Sequence, residues 1–433
     1  MPFDTGAVIR DIGLGITPAA HQPCKPPTHA VAYRGDASVA FLHLSQMQHG
    51  GFDIVEHLVI GQFGSSPNLK VGGGQDKGPD FSVNGRLNPI VNMRPGEVQL
   101  WRIVNTSARA GAYFSGPPPG FHWRQLAQDG VQLKDVNYQA SLDRPFLLAA
   151  GNRADMLVQA TGACNIAAGC KYSVQVFNEV DPGDVPGTFP INLLTVKVSG
   201  TPMSPAMAFM PKAPTFPDFL ADVTDAEISG TETIAFSTQP QVFSGGQGPP
   251  KQPAAVHKID GKQFDGDVGV VVLLNKAEEW KITNATTNIS HPFHIHINPF
   301  QVVEQFSPND LLPNGSPRYV TDKSGMTAGQ CYLDPKDSST WKPCDGSGPS
   351  SKDALWWDVF PIPSGLGATD AAGNPINGPN GQQIIIPGYF KMRSRFVDYA
   401  GFYVIHCHIL AHEDRGMMTV VEVAPARSPY SHH

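Results

Sequence analysis

The chain has 433 residues, room for two or three domains, with 44 Gly, 40 Pro and only 16% charged residues. Its net charge of −7 is mild for that length and argues against nucleic acid as a partner. No apolar run is long enough to span a bilayer, and Met1-Pro-Phe-Asp-Thr-Gly6 does not read as a secretory signal. Short β-branched runs broken by Gly, Pro and Asn, with no long amphipathic helical pattern, predict an all-β chain of β-sandwiches.

Residues 1 to 75 carry the weakest pattern. Pro23-Cys-Lys-Pro-Pro27 and Gly72-Gly-Gly74 read as loops, and Ser38–Leu44 and Glu56–Phe63 as strands. His21, His29, His43, His49 and His57 are scattered without ligand spacing and read as incidental. From Phe81 the pattern sharpens. Phe81-Ser-Val-Asn-Gly-Arg86 and Met93–Asn105 read as strand, turn, strand, with Arg94-Pro-Gly96 as a hairpin turn. Residues 200 to 256 are rich in Pro, Ser, Thr and Gly and predict a linker. Its Met203, Met207 and Met210 are either soft thioether ligands or, at their spacing, an apolar face packed between domains. A polar insertion, Ser307–Lys352, interrupts the last third and is a candidate wall for a nearby site.

Two short segments carry the chemistry. Ser290-His-Pro-Phe-His-Ile-His-Ile297 sets His294 and His296 two apart, hence on one strand face, with His291 at the opposite parity. Near the C-terminus, Phe402–His408 reads as a strand that points His406 and His408 one way and Cys407 the other. His412 and Met417 follow Cys407 by five and ten positions. His291, Cys407, His412 and Met417 therefore supply the two imidazoles, thiolate and weak thioether that suit blue copper. His294, His296, His406 and His408 form a second set on the opposite face.

The His-Pro-x-His-x-His and His-Cys-His-x₃-His-x₄-Met segments, in this order, resemble the multicopper oxidases, the family of laccases. The resemblance covers roughly residues 80 to 425. It implies tandem cupredoxin-like Greek-key β-sandwich domains: a divergent tail of a first domain over 1–75, a structural middle domain over 76–200, a linker over 201–230, a copper-bearing domain over 231–425 and a tail over 426–433. His122 and Met156 fall in the middle domain and get no metal role. By the same resemblance His291, Cys407, His412 and Met417 hold type 1 copper, His294 serves type 2, and His296, His406 and His408 serve the type 3 pair. Cys407 with the flanking His406 and His408 would carry electrons from a phenolic or aromatic amine donor towards O₂. The family's first domain normally adds two His-x-His pairs, yet no His-x-His precedes residue 294. The type 1 half is complete and the oxygen half is not. The alternative is a type 1 copper protein that transfers electrons without turning over O₂.

Glu413 and Asp414, beside His412, would favour cationic or phenolic donors, unless they merely solvate a loop. Cys164 with Cys170, and Cys331 with Cys344, are expected as two local disulfides, each worth roughly 2–3 kcal/mol, or else as free thiols close in sequence. Disulfides would require an oxidising compartment, hence a secreted or periplasmic protein. Cys24 is left over, and the sequence is silent on oligomeric state.

Overall fold

A computed structural model describes residues 52, 54–63, 80–161, 170–179, 190–240, 255–309, 330–331, 342–343, 354–368, 374–379 and 381–425. The first described unit holds β1 (Ile54–Phe63), β2 (Asp80–Val83), β3 (Ile90–Met93), β4 (Val98–Asn105), β5 (Gly111–Phe114), β6 (Phe121–Gln128), β7 (Val131–Gln132), β8 (Phe146–Leu148), β9 (Arg153–Ala160), β10 (Cys170–Glu179) and β11 (Ile191–Val198), with one short helix, α1 (Asp135–Ala140). They form a six-stranded sheet, β2-β1-β4-β9-β6-β7, facing a five-stranded sheet, β3-β11-β10-β5-β8.

The second unit holds β12 (Ile228–Pro240), β13 (Ala255–Ile259), β14 (Val268–Leu273), β15 (Lys276–Asn284), β16 (His291–Ile295), β17 (Phe300–Phe306), β18 (Gln330–Cys331), β19 (Lys342–Pro343), β20 (Trp356–Trp357), β21 (Val359–Ile362), β22 (Leu366–Gly367), β23 (Ile385–Ile386), β24 (Gly388–Phe396), β25 (Gly401–Cys407) and β26 (Met418–Ala424), with the one-turn helix α2 (Leu410–Glu413). Its sheets run β13-β12-β15-β24-β17-β20 and β14-β26-β25-β16-β21, beside two small ladders, β18-β19 and β22-β23. Strand for strand this repeats the topology of the first sandwich: β4 corresponds to β15, β5 to β16 and β10 to β25.

The repeat extends to local hydrogen bonds. Trp101 Nε1 donates to Gln99 Oε1 at 3.0 Å, and Trp280 Nε1 to Glu278 Oε2 at 2.8 Å. The buried Asn105 and Asn284 each accept from the backbone N–H two residues on, Ser107 and Thr286, at 3.0 and 2.8 Å. Each sandwich closes over its own apolar core. In the second, Phe293 is fully buried and meets Phe236, Phe300 and Phe390 edge-on, with centroids 6.0, 5.5 and 5.8 Å away. Cys407 and Met417 lie inside that same core.

The strand-turn-strand reading around Arg94-Pro-Gly96 needs correction. β3 pairs with β11 and β4 with β1 and β9, so this turn carries the chain from one sheet to the other and makes no hairpin. Gly96, at φ +76°, permits the reversal. Residues 201–227, within the predicted linker, hold no strand and run as a strap against both sandwiches. Gln159 and Tyr138 of the first sandwich donate to the carbonyls of Met207 and Met210 at 2.7 and 2.8 Å, while Trp356 of the second donates to Leu220 at 2.9 Å. These side chains satisfy backbone groups that no ladder reaches. Met207 and Met210 pack on the apolar cluster of Val98, Leu100 and Tyr138, which favours the packing alternative over thioether ligation. His57 is exposed on β1, and His122 pairs with Asp143 at 2.8 Å. The other N-terminal histidines, Cys24 and nearly all of the insertion after Ser307 lie outside the described residues, as do Cys164 and Cys344 and therefore both predicted disulfide pairings.

Candidate metal centre

β16 and β25 lie side by side in the five-stranded sheet, with Phe293 opposite Cys407, His294 opposite His406 and Ile295 opposite Ile405. Alternation does the rest. His291, Phe293 and Cys407 project into the core, while His294 and His406 project from the outer face. Parity alone separates His291 and Cys407 from His294 and His406, and the sheet places these four side chains accordingly.

On the core side, Cys407 Sγ is 3.5 Å from His291 Nδ1 and 3.7 Å from His412 Nδ1, and the two Nδ1 atoms are 3.2 Å apart. All three residues are buried. Donors that bind one first-row ion at roughly 2.0–2.3 Å stand roughly 3–4 Å from one another, so the spacing fits a shared ion. Helix α2 carries His412 back over Cys407. The loop is closed by Cys407 N–H donating to the Met417 carbonyl and Met417 N–H to the His412 carbonyl, both at 3.0 Å. Met417 is fully buried beside them.

A hydroxyl beside this set can take the ring proton of one imidazole. His291 Nε2 lies 3.0 Å from Thr286 Oγ1, which also accepts from the Thr238 N–H at 2.8 Å. With Nε2 donating to Thr286, Nδ1 keeps a free lone pair turned towards Cys407. One neighbour carries no sequence signal. His257, from β13, is 2% exposed and stacks on His412 with centroids 4.0 Å apart and planes 19° from parallel. Its Nδ1 reaches Thr238 Oγ1 at 2.9 Å, and its Nε2 is buried with no hydrogen-bond partner among the described residues. A lone His in Ala255-Val-His-Lys-Ile259 gives no spacing to read, and only the sheet brings it under His412.

On the outer side, His296 Nε2 and His406 Nε2 are 3.2 Å apart, and His294 joins them to give a second set whose donor atoms all lie within 4.8 Å. His294 Nδ1 lies 2.8 Å from the Asp358 carbonyl, and His406 Nδ1 3.1 Å from the Cys407 carbonyl. Those partners leave the Nε2 atoms for a metal. Glu413 does not simply face solvent: its Oε2 is 3.4 Å from His406 Nδ1. His408 stands outside the tight set, with its ring centroid 5.6 Å from His294 and 5.7 Å from His406, and its buried Nδ1 has no hydrogen-bond partner among the described residues. His296 is the exposed member.

Burial, the largest cause in each case, lowers the imidazoles: His291 to about 3, His412 to about 2, His406 to about 3, and His294 and His257 to about 4. All five are neutral at neutral pH and can act as lone-pair donors. Burial pushes the Cys407 thiol up, so metal capture there must displace its proton. Orphaned ring nitrogens, neutral imidazoles and a buried cysteine between two of them are what a soft-donor copper site requires.

The multicopper oxidase domain model matches residues 235–369 and 373–427, the span that holds both ligand sets. This span is a multicopper oxidase domain. The chain is 23% identical over 353 residues to a laccase of Bacillus stratosphericus, and 22% identical over the same length to a laccase of Bacillus subtilis. Each match covers 80% of this chain but 55% and 54% of the relative, so the chain spans about half the length of these curated relatives. Among solved structures, a multicopper oxidase from Campylobacter jejuni described as a metallo-oxidase superposes with a TM-score of 0.53 at 15% identity, over 87% of this chain and 65% of the other. The multicopper oxidase of Aquifex aeolicus does so at 0.53 and 16%, over 88% and 68%. These likenesses establish tandem cupredoxin sandwiches as the fold.

Proposed function

We propose that this chain is a laccase-like, copper-dependent oxidoreductase that takes single electrons from phenolic or aromatic amine donors. The observation that carries the reading is the buried triad of His291 Nδ1, Cys407 Sγ and His412 Nδ1, at mutual distances of 3.2–3.7 Å, backed directly by an outward-facing histidine set. His291, Cys407, His412 and Met417 would hold type 1 copper; His294, with His296, His406 and His408, would hold type 2 and type 3 copper. Bound there, copper would supply reversible one-electron chemistry between the donor and O₂.

The chain's own contribution is positional. His406, Cys407 and His408 are consecutive, so a few covalent bonds join the two sets. The Asp358 carbonyl holds His294 in one tautomer, Thr286 orients the His291 ring, and the Phe293 core keeps water from Cys407. Glu413, half-buried beside His406, has its carboxyl raised chiefly by burial and can hold a proton at the edge of the outer set.

A second reading is favoured by one observation. Among the described residues three histidines form the tight outer set, His296 is exposed and His408 stands off. A type 1 copper protein that transfers electrons without turning over O₂ needs no more than the inner set. Copper titration against oxygen uptake on a simple phenolic donor separates the two. The oxidase reading expects one tightly bound copper per chain, a weaker second site, and activity that rises as added Cu²⁺ fills it. One copper with no oxygen uptake at any copper concentration would establish the electron-transfer reading instead. An oxidising compartment, secreted or periplasmic, is part of the proposal, on the sequence proximity of Cys164 to Cys170 and Cys331 to Cys344. Peptide mapping without reductant tests it, and free thiols at all four positions would refute it.

A further inference from the structure

The four outer histidines all belong to the second sandwich, yet two of them are held by the first. Gly151, in the turn before β9, lies against the His408 ring: a Cβ built there would sit 2.6 Å from its Cδ2 and 2.7 Å from its Nε2. Gly151 also has φ +91°, so both its conformation and its lack of a side chain are used. The next two residues reach across to β21. Asn152 Nδ2 donates to the Val359 carbonyl at 2.8 Å and to both Asp129 carboxylate oxygens, at 3.1 and 3.0 Å. Arg153 grips Asp358 with two parallel bonds, Nη1 to Oδ1 at 2.6 Å and Nη2 to Oδ2 at 2.5 Å. Asp129 Oδ2 accepts from the backbone N–H of Asp358 and of Val359, both at 3.3 Å.

That grip falls on the residues that set His294. Val359 is its register partner across the β16–β21 ladder, and the Asp358 carbonyl receives its Nδ1–H at 2.8 Å. We infer that Asp129 and the Gly151-Asn152-Arg153 turn are positioning residues of the first sandwich that fix His294 and His408 for the outer copper. The inference rests on reading the outer histidines as a copper site. A sandwich that contributes none of the four outer histidines thereby acts as the back wall of its twin's site. Docking alone would not require this chemistry. A buried carboxylate bonded to a buried amide, with a guanidinium 3.8 Å away, costs desolvation that apolar packing avoids, and such networks are better explained by the geometry they impose. A bidentate Arg–carboxylate pair defines angle as well as distance.

The test uses the full chain and two substitutions. Gly151→Ala drives a methyl into the His408 ring. Arg153→Lys keeps the charge but loses the fork, and remains informative if the alanine at positive φ impairs folding. Each variant is titrated with Cu²⁺ against a competing chelator, following the charge-transfer band of the inner site and the total copper bound per chain. The inference expects an unchanged inner band and affinity, with the second copper bound 10–100-fold more weakly, the loss usual when groups that orient metal ligands are removed. Parent-like affinity at both sites in the folded variants would overturn it, leaving a docking contact only. Equal weakening at both sites would also overturn it, as a general loss of fold. A parent protein that never takes a second copper would instead sink the reading of the outer set itself.

Discussion

Thr286 offers the most searching perturbation of the inner set, because one oxygen serves two strands. Its Oγ1 accepts the Thr238 N–H at 2.8 Å and lies 3.0 Å from His291 Nε2, and His291 is fully buried. Thr286→Val keeps the branched shape and removes both partnerships. Without metal, His291 can move its proton to Nδ1, so only the half-buried Thr238 N–H is lost outright, at about 0.5–1.5 kcal/mol. With copper on Nδ1 that escape is closed. The proton must stay on Nε2, a buried donor with no acceptor, at about 1–3 kcal/mol. The variant should therefore lose copper affinity by about 10–100-fold while the copper-free fold weakens only slightly. Thr286→Ser, which keeps the hydroxyl, should bind close to parent. Chelator competition followed at the charge-transfer band gives the affinity, and urea unfolding of the copper-free protein gives the stability. Parent-like copper affinity in Thr286→Val would refute the tautomer argument.

Two further outcomes follow from the geometry. Ile297 has φ +68° with Asn298 N–H bonded to the His296 carbonyl at 2.7 Å, a strained γ-turn at the end of the His-x-His segment. Ile297→Gly should raise stability by about 1 kcal/mol, read from the urea midpoint, and a lower midpoint would show the turn is unstrained. The copper-free protein should lose stability in mild acid. His291, His294, His257, His406 and His412 have folded pKa values of about 4 or below against an ordinary 6.5. Below pH ~6.5 the unfolded chain takes up protons the folded chain refuses, so stability is full above that value and falls as pH drops towards ~4, by up to about 1.4 kcal/mol per pH unit for each group. Urea midpoints across that range check it, and a flat profile would contradict it.

The placement of His291 and Cys407 on one face and His294 and His406 on the other was legible because strand parity is a local property. Two residues apart on a strand means the same face, and the partition of His291 from His294 and His296 needs nothing else. What the sequence hid was non-local. His257 reaches His412 only through the β12–β13 pairing, and Asp129 and Arg153 reach His294 only through the meeting of two sandwiches. The Arg94-Pro-Gly96 turn misled because a reversal between sheets and one within a sheet use the same residues. The duplication was present in sequence, in Val83-Asn-Gly-Arg86 against Ile259-Asp-Gly-Lys262, and in Trp101-Arg-Ile-Val-Asn105 against Trp280-Lys-Ile-Thr-Asn284. Reading it as a repeat would have given the shared topology at once.

Cys407 is proposed to supply the thiolate of a copper site it shares with His291 and His412. The visible spectrum of the copper-loaded full chain tests it most directly. The parent should be blue, from the thiolate-to-copper charge transfer of such a centre. Cys407→Ser should be folded, by far-ultraviolet dichroism and urea midpoint, yet colourless. An intense blue band surviving in Cys407→Ser would contradict the account.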